Sequence, residues 1–566
     1  MSFLPATKDE LIKLGINRPD VIIVTGDTYI DSPFIGAALI GRFLESKGFT
    51  VAIIAQPDVN GPDDITRLGE PNLFWGVTGG SLDSMVANYT PLKKKRRADD
   101  LTPGGVNNKR PDRAVIAYSN LIRRYFKNTR PIILGGIEAS LRRLTHYDFW
   151  SDSLRRPILF DSKADLLVYG MGETAIADIA RRLKENRADY IYTRGVCYIS
   201  KSPAAGYIQL PSYEECVSDK YKFIDMFNAF YTNNDSLTAK GLCQKTGGRF
   251  LIHNPPAPAL TSGELDEIYG LNYCRKQHPY YQKIGVVNAR DTIDFSITTH
   301  RGCYGECNFC AITVHQGRTV ISRSIESITS EAEKITKLDN FKGYITDVGG
   351  ATANMYGIEC EKKIKSGACK DKRCLFPQAC GSLHINHQKQ ISLLKKLRKI
   401  KGIKKVFVAS GIRCDMVIND DKHGREYIGE IANCHVSGQL KLAPEHTDGA
   451  VLELMGKPGL SSLIKFKRLF DNAGKKAGKT QFLTYYLIAA HPGCADKDML
   501  EMKKFISKQL KIKPEQVQIF TPTPSTYSTL MYYSGVNPFT NKPVFVEKRD
   551  SAKTRQKKII TGKNHE

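Results

Sequence analysis

Short apolar runs alternate with helix-like segments over the first 190 residues of the chain. After the first run, Ile35, Leu39 and Phe43 recur at helical spacing, and Gly48 ends the predicted helix. Apolar runs that end in Gly, Pro or polar residues are typical of parallel strands covered on both faces. We therefore predict a doubly wound α/β domain over residues 1–190, with its ligand crevice at the carboxyl ends of the strands. The predicted strands are PDVIIVTG (19–26), FTVAIIAQP (49–57), PNLFWGVTGG (71–80), RPIILGG (130–136) and ADLLVYGMGE (164–173).

The pattern changes over residues 191–290, where proline pairs such as the one in HNPPAPAL interrupt regular ladders. We interpret this stretch as an irregular connector. Strand–helix alternation resumes at residue 291 and predicts a partial (β/α) barrel over 291–522. We expect the C-terminal extension, 523–566, to be basic and partly disordered. The predicted barrel strands are DFSITTH (294–300), KGYITDVGG (342–350), KKVFVASGI (404–412), GQLKLAPEH (438–446), QFLTYYLIAAHPG (481–493) and VQIFTP (517–522), and the predicted helices are 328–338, 387–400 and 462–477.

The composition is that of a globular protein, with 41% apolar and 25% charged residues. No apolar run is long enough to cross a membrane and the N-terminus lacks a secretory pattern, so we expect a cytoplasmic protein. The 14 cysteines are too dilute for a disulfide framework and favour thiols or metal ligands. The 83 basic and 58 acidic residues give a net charge of +25. This charge fits either a nucleic-acid partner or a solvated lysine-rich surface, and no RNA-binding motif accompanies it.

Three cysteines, Cys303, Cys307 and Cys310, lie at x3 and x2 spacing directly after the first predicted barrel strand. Each thiolate can bind one corner of a [4Fe-4S] cluster, which ordinarily has four such ligands. A cluster held by only three leaves one iron with an open position for a small molecule. The alternative is a structural zinc site completed by His300 or His315, although the spacing is not that of ordinary zinc sites.

The triplet, with Phe309 before its last cysteine, resembles the signature of the radical S-adenosylmethionine (SAM) superfamily. Over nearly its whole length the chain resembles the YgiQ-type family of that superfamily. The motifs that carry this likeness are RGCYGECNFCAITVHQGR, DVGGATANMYG, VASGIRCD, LAPEHT, HNPPAP and FTPTPSTYSTLMYYSGVNPF. The resemblance implies an enzyme in which a reduced [4Fe-4S] cluster, one per chain, cleaves SAM and releases a 5′-deoxyadenosyl radical that attacks an unassigned substrate. It also implies a one-electron reductant of the flavodoxin or ferredoxin type.

The resemblance further implies cofactor-binding residues at the ends of the barrel strands. Gly349 and Gly350 match the Gly-Gly motif that contacts the SAM amino group, because glycines let a backbone carbonyl approach a ligand closely. Ser410 and Arg413 end a later strand, where the superfamily contacts the SAM ribose or carboxylate. No residue is assigned a catalytic role. Two alternatives stay open: an RNA- or tRNA-modifying radical SAM enzyme, supported only by the charge, and a non-catalytic iron–sulfur or zinc protein.

The N-terminal domain resembles cobalamin-binding domains in layout, but the loop after its first strand departs from their Asp-x-His-x-x-Gly pattern. Tyr29 stands where the cobalt-binding histidine would be, and tyrosine is a poor ligand for that metal. We therefore expect the chain not to bind cobalamin. We interpret this cobalamin-binding-like domain as a docking site for a substrate or a partner.

Four more cysteines lie in a Lys- and Gly-rich insertion after the Gly-Gly strand. Cys360, Cys369, Cys374 and Cys380 follow one another at x8, x4 and x5 spacing. Four thiolates can close a zinc site or hold an auxiliary cluster, but this spacing is not a standard pattern for either metal. Free thiols are an equal alternative at this point.

Overall fold

The computed structural model describes residues 2–514 and 516–562. It divides into two compact units, one formed by residues up to 259 with 267–294, the other by 260–266 with residues from 295 onward. The first unit therefore extends well past the predicted boundary at residue 190. No helix in the described part of the chain combines the length and the apolar character that a membrane span requires.

The N-terminal unit is built on one nine-stranded sheet. The strands of this unit are β1 (Val21–Thr25), β2 (Val51–Ala55), β3 (Phe74–Thr78), β4 (Ile132–Gly135), β5 (His146–Asp148), β6 (Ser153–Arg155), β7 (Leu166–Val168), β8 (Val196–Ser200), β9 (Ile208–Leu210), β10 (Leu242–Thr246) and β11 (Arg249–His253). The sheet has the order β2-β1-β3-β4-β7-β8-β11-β10-β9, while β5 and β6 form a separate hairpin. Its first five members are parallel, and every residue of β1 and β2 is buried.

Helices cover both faces of this parallel part, as the apolar strands predict. Along the first 294 residues they are α1 (Lys8–Lys13), α2 (Gly36–Ser46), α3 (Asp63–Thr66), α4 (Ser84–Asn88), α5 (Ala114–Tyr125), α6 (Gly136–Leu141), α7 (Ile158–Ser162), α8 (Glu173–Lys184), α9 (Tyr213–Ser218), α10 (Lys220–Thr232), α11 (Ser262–Gly270), α12 (Pro279–Gln282) and α13 (Arg290–Ile293). Ala38 and Leu44 of α2 pack with Ile176 and Ile179 of α8 in the same core as β1. The predicted doubly wound α/β domain is confirmed.

Residues 191–290 differ from the irregular connector expected for them. They contain β8 to β11, which extend the parallel sheet with antiparallel pairs. The turn between β10 and β11 is Gly247-Gly248, and Gly247 has φ +58°, a conformation that favours glycine in tight hairpins. Pro255 and Pro256 follow the last strand and do not interrupt it. The proline pair therefore follows the last strand of the sheet and does not show that residues 191–290 lack a sheet.

The C-terminal unit contains the partial barrel. Its strands are β12 (Ser296–Thr298), β13 (His300–Arg301), β14 (Ile321–Ser322), β15 (Tyr344–Ile345), β16 (Asp347–Gly349), β17 (Lys405–Val406), β18 (Gln439–Glu445), β19 (Phe482–Ala489) and β20 (Gln518–Ile519). Parallel pairing runs from β12 to β16, from β15 to β17, and through β18, β19 and β20, with Ile412 bridging to Leu442 of β18. These pairings follow chain order, as expected for an incomplete (β/α) barrel.

Helices pack against this barrel along most of the unit. They are α14 (Ile312–Gln316), α15 (Ile325–Thr336), α16 (Glu361–Ser366), α17 (Gln388–Leu397), α18 (Cys414–Ile418), α19 (Gly424–Glu430), α20 (Gly449–Met455), α21 (Ser461–Lys476), α22 (Asp496–Phe505), α23 (Tyr527–Ser534) and α24 (Asp550–Thr561). Phe466 and Phe470 of α21 share one core with Leu440 and Leu483 of the strands. The fold class predicted from the sequence, α/β with a partial barrel after the doubly wound domain, is confirmed.

The C-terminal extension is more ordered than the sequence suggests. Helix α24 buries Ala552 and Ile560, and the side chain of Gln556 bridges two backbone groups of the barrel unit. Its Oε1 accepts a hydrogen bond from the N–H of Ala490 at 2.9 Å, and its Nε2 donates to the carbonyl of Cys494 at 3.1 Å. The last four residues of the predicted disordered tail, 563–566, lie outside the described part of the chain.

Candidate functional site

A short hairpin presents the cysteine triplet. Strands β13 and β14 pair antiparallel and close the loop that carries the three cysteines directly after the first barrel strand. Gly302, with φ +84°, opens this loop, and a Cβ there would collide with the carbonyl of Thr319. Glycine is required at this close backbone approach. The hairpin therefore fixes where the triplet begins.

Two sulfurs of the triplet receive hydrogen bonds. The N–H of Gly305 donates to Cys303 Sγ at 3.3 Å, and Arg413 Nη1 donates to Cys307 Sγ at 3.6 Å. A Cβ on Gly305 would lie 3.3 Å from one of these sulfurs and 3.6 Å from the other, so both flank the same glycine. Burial, with the charge of Cys307 adding to it, raises the pKa of the Cys303 and Cys310 thiols. Such thiols ionise readily only when iron supplies compensating charge.

The donor set fits a cluster better than a zinc ion. In the described residues, no three His, Cys, Asp or Glu side chains converge as closely as a single metal ion requires. Zinc would need its sulfurs about 2.3 Å from one point, whereas each thiolate of a cubane cluster binds a different iron. Three soft thiolates on one loop are therefore suited to a [4Fe-4S] cluster. His300 does not complete a zinc site, since its ring packs against Gly350.

The Gly-Gly pair lies at the end of β16, directly beside β12. The carbonyl of Gly349 accepts hydrogen bonds from the N–H of Thr299 at 2.8 Å and from its hydroxyl at 3.1 Å. Both lone pairs of this oxygen are thus engaged inside the protein. A Cβ on Gly350 would lie 2.7 Å from the His300 ring, so glycine is also needed there for packing.

Asp347 organises the loop that contains Ser410. One oxygen of Asp347 accepts hydrogen bonds from the N–H groups of Ala409 at 2.8 Å and Ser410 at 3.2 Å. The Ser410 hydroxyl donates to the other oxygen of the same carboxylate. A Cβ on Gly349 would lie 3.4 Å from the Ser410 side chain. Ser410 is therefore beside the Gly-Gly pair, as the sequence predicts for neighbouring strand ends.

Arg413 is held on two sides. Its Nε and Nη2 donate to the two oxygens of Asp415 at 3.0 and 2.6 Å, a bidentate pair. Asn354 brackets its backbone, accepting from the Arg413 N–H at 2.9 Å and donating to its carbonyl at 3.0 Å. Burial alone would lower the pKa of Arg413, but the charges of Asp415 and Cys307 outweigh it and raise the pKa above its usual value. The remaining Nη1 is the group that points at Cys307.

Sequence reasoning missed the buried pair Glu445 and Lys457. Glu445 ends β18 with φ +68°, a conformation that is uncommon for a residue with a side chain and is concentrated at functional sites. Burial raises the pKa of Glu445, and Lys457, whose Nζ lies 3.6 Å from its Oε1, opposes that rise. The charge of Glu445 also contributes to the raised pKa of Cys310. LAPEH indicated the strand end, but nothing in it revealed the backbone conformation.

His446 and His491 have structural partners. His446 Nδ1 accepts from the N–H of Asp448 at 3.0 Å, and its Nε2 lies 3.5 Å from the sulfur of Cys494. His491 Nε2 lies 2.6 Å from the hydroxyl of Ser528. Burial lowers the pKa of His446 to about 4 and that of His491 to about 3. Both rings are therefore neutral at physiological pH.

Comparison with known proteins shows the family to which this chain belongs. The family profile described as Radical SAM N-terminal matches residues 3–296. The UPF0313 protein of Fusobacterium nucleatum is 58% identical over 564 residues, which cover 100% of this chain and 99% of that protein. The chain belongs to the UPF0313 family. A UPF0313 protein of Thermotoga petrophila is 48% identical over 562 residues, covering 99% and 98% of the two chains. UPF0313 is thus the YgiQ-type family of the radical SAM superfamily that the motifs indicated, and this identification is confirmed.

Two solved structures resemble the fold of this UPF0313 protein at low sequence identity. The radical SAM methyltransferase TsrM from Kitasatospora setae, solved with cobalamin and a [4Fe-4S] cluster, matches with a TM-score of 0.53 and 13% identity, over 90% of this chain and 77% of TsrM. The cobalamin-dependent radical SAM enzyme OxsB, solved with aqua-cobalamin, matches with a TM-score of 0.50 and 14% identity, over 94% of this chain and 58% of OxsB.

The expectation that this UPF0313 protein does not bind cobalamin was wrong. Both of these structural neighbours hold cobalamin. The inference depended on Tyr29, which proves to be a core residue. Tyr29 is fully buried, its hydroxyl accepts from the N–H of Leu4 at 3.1 Å, and its ring stacks on His278 with the centroids 5.3 Å apart. Because Tyr29 packs inside the domain, its identity gives no information about whether a residue of this chain binds cobalt.

Proposed function

We propose that this UPF0313 protein holds a [4Fe-4S] cluster on Cys303, Cys307 and Cys310 and uses it to cleave SAM reductively. The observation that carries the proposal is the loop with three thiols and no fourth cysteine, on which two sulfurs accept hydrogen bonds. When bound, the cluster and SAM supply a 5′-deoxyadenosyl radical that removes a hydrogen atom from the substrate. The electron comes from a cytoplasmic one-electron reductant of the flavodoxin or ferredoxin class.

The polypeptide contributes hydrogen bonds and fixed charge around the cluster. The Gly305 N–H and the Arg413 guanidinium donate to ligand sulfurs, and such bonds favour the more negative, reduced state. Asp415 and Asn354 hold Arg413 in place for that role. Outer partners of this kind usually decide how well the inner ligands function.

The strand ends supply polar groups for SAM. The carbonyl of Gly350 is the acceptor we assign to the SAM amino group, because Thr299 already occupies the carbonyl of Gly349. Ser410, fixed by Asp347, lies next to that pair and is assigned to the ribose or the carboxylate. Arg413 has most of its donors committed to Asp415, so we assign it to the cluster and not to SAM.

Cobalamin enters the proposal as a candidate ligand of the N-terminal unit. The support is the fold likeness to TsrM and OxsB, together with a buried hydroxyl at the carboxyl end of β1. Thr28 is fully buried, and within the described residues its Oγ1 has no hydrogen-bond partner. Sheets of this class bind ligands at those strand ends. We expect protein incubated with hydroxocobalamin and then desalted to keep a corrin absorption spectrum, and a protein fraction without corrin absorbance contradicts this part of the proposal.

Product analysis tests the proposed SAM cleavage. Protein reconstituted anaerobically with iron and sulfide is incubated with SAM and dithionite, and 5′-deoxyadenosine is quantified by mass spectrometry. We expect product from the wild type and from Cys434→Ala, a partly exposed cysteine outside the triplet loop. Cys307→Ala is expected to give only background. A wild-type protein with an intact cluster that forms no 5′-deoxyadenosine contradicts the proposal.

A further inference from the structure

The four cysteines of the insertion line one pocket. Cys360, Cys369, Cys374 and Cys380 all lie in the wall of a single pocket in the C-terminal unit. All four are free thiols, of which Cys360 and Cys374 are buried and the other two are partly exposed. Residues separated by eight, four and five positions in the chain thus meet at a single place.

The chain that carries Cys369, Cys374 and Cys380 lacks regular secondary structure. Between α16 and α17 the described residues form no helix or strand, and loops of this length inside a compact unit are usually functional. The buried side chains of the segment form a small cluster that includes Cys360, Cys374 and Leu383. One backbone bond, from the N–H of Cys380 to the carbonyl of Cys374 at 2.8 Å, fixes two of the cysteines relative to each other. A bound metal group would add stability to such a segment.

The pocket is lined by positive charge. Lys362, Lys363, Lys372 and Arg373 contribute to its wall, and its lining in the described structure includes no carboxylate. Four thiolates and their metal group carry a net negative charge, which neighbouring cations stabilise. Lys363 is almost fully buried, at 2% exposure, so its ammonium acts in a poorly solvated environment.

The geometry also discriminates between metals. The described Cys, His, Asp and Glu side chains contain no group of three that converges on one point, as a mononuclear zinc site needs. The four cysteines do line one pocket. A cubane cluster needs its thiolates around a shared space, since each thiolate binds a separate iron at its own corner.

We propose that Cys360, Cys369, Cys374 and Cys380 bind a second [4Fe-4S] cluster, in which every iron has a cysteine ligand. This site contacts the triplet loop: the N–H of Cys360 donates to the hydroxyl of Tyr304 at 3.2 Å, and Tyr304 follows Cys303 directly. The ammonium of Lys363 also reaches Glu306 of the same loop, at 3.5 Å. Because its coordination is closed, the second cluster does not bind SAM.

Iron and sulfide counts test this proposal independently of any SAM chemistry. The protein is reconstituted anaerobically and assayed for iron, zinc and acid-labile sulfide, with electron paramagnetic resonance (EPR) spin counting after reduction. We expect about eight irons per wild-type chain, and about four in a Cys303→Ala/Cys307→Ala/Cys310→Ala variant, because a cubane holds four irons. The EPR signal that this triple variant retains is expected to be unchanged by SAM.

A second set of variants assigns the ligands. Cys369→Ser and Cys380→Ser change the two partly exposed thiols and are expected to halve the iron content, whereas Cys434→Ser keeps the wild-type value. About four irons in the wild type that persist in Cys369→Ser and Cys380→Ser overturn the proposal, and so does zinc in place of the second set of irons. A triple variant with the wild-type circular dichroism spectrum and less than one iron per chain also overturns it. If the triple variant does not fold, the iron contents of Cys369→Ser and Cys380→Ser decide, since a loss of about four irons supports the proposal and no loss overturns it.

Discussion

Arg413 donates a hydrogen bond to the sulfur of Cys307, with Nη1 and Sγ 3.6 Å apart. The other two donating atoms of the guanidinium are committed to Asp415, and Asn354 holds the backbone of Arg413 from both sides. A permanent positive charge is thereby fixed beside one cluster ligand. We assign to this positive charge the role of favouring reduction of the cluster, because reduction adds one negative charge.

Substitution of Arg413 by lysine tests this assignment. Lysine keeps the positive charge but loses the planar fork that pairs with Asp415 and directs the third nitrogen at the sulfur. We expect iron binding to persist, the reduction potential of the triplet cluster to become more negative, and formation of 5′-deoxyadenosine to fall by about 10-fold or more. Potentiometric titration followed by EPR measures the shift. An unchanged potential in Arg413→Lys shows that the guanidinium has no electronic role.

Gly350 is expected to tolerate no side chain. In Gly350→Ala the new methyl group would lie 2.7 Å from ring atoms of His300 and 2.9 Å from its carbonyl, which leaves no room for adjustment. Overpacking of this kind costs about 1–3 kcal/mol of the free energy of unfolding. Thermal denaturation of the cofactor-free protein measures it. Gly411→Ala is the matched control, because a Cβ there meets nothing within 4 Å, and equal losses in both variants rule out the steric explanation.

Buried neutral histidines are expected to make the fold sensitive to acid. Burial lowers the pKa of His491 to about 3, while in the unfolded chain a histidine binds its proton near pH 6.5. The unfolded state therefore holds more protons below that pH, and stability is complete above about pH 6.5 and falls as the pH decreases toward 3. His300 and His446, with pKa values lowered by burial to about 4, act in the same direction.

His491→Gln isolates one of these contributions. We expect the stability lost between pH 6.5 and 4.5 to shrink by about 2 kcal/mol, since one histidine contributes about 1.4 kcal/mol per pH unit in this window. Urea unfolding of cofactor-free protein at the two pH values gives the difference. Ser528→Ala removes the partner of the His491 ring without removing the titrating group, so it serves as the control with the wild-type pH dependence. The same acid sensitivity in His491→Gln as in the wild type refutes the prediction.

In the buried pair of Glu445 and Lys457, we expect substitution of the two partners to cost different amounts of stability. Lys457→Met leaves a buried carboxylate without its cation and is expected to cost about 3 kcal/mol at pH 8. Glu445→Gln leaves a neutral amide and keeps the bond from Lys457 to the carbonyl of Ala443, so we expect a smaller loss. The penalty of Lys457→Met decreases at acidic pH as Glu445 takes up a proton. Equal costs at pH 8 and pH 5 contradict this account.

Much of the fold can be predicted from the sequence where burial is uniform. Strands β1 and β2 are almost entirely apolar and buried at every position, and the helix predicted at 462–477 is observed at Ser461–Lys476. The hairpin of β10 and β11 was not predicted, because its alternation is weak and the nearby prolines suggest irregular structure. Local patterns identify strands that are buried throughout more readily than strands such as β10 and β11, which also carry exposed residues.

The candidate site, too, could be predicted from the sequence only in part. The cysteine triplet lies on one short stretch of the chain, so its spacing was enough to indicate it, whereas the Gly-Gly strand end was indicated by the resemblance to the radical SAM superfamily. The hydrogen bond from Arg413 to Cys307 joins residues 106 positions apart, and only the folded barrel brings them together. Tyr29 shows the opposite error, since its place in a motif suggested a ligand position that the packing of the domain assigns to the core.

The most direct test of the central claim is the EPR spectrum of the dithionite-reduced protein with and without SAM. A cluster held by Cys303, Cys307 and Cys310 has one iron free to bind SAM, so SAM is expected to change the g-values of the wild-type signal. The SAM-sensitive signal is expected to be missing from Cys307→Ala. A wild-type spectrum that is identical with and without saturating SAM would contradict the assignment of this loop as the radical SAM site.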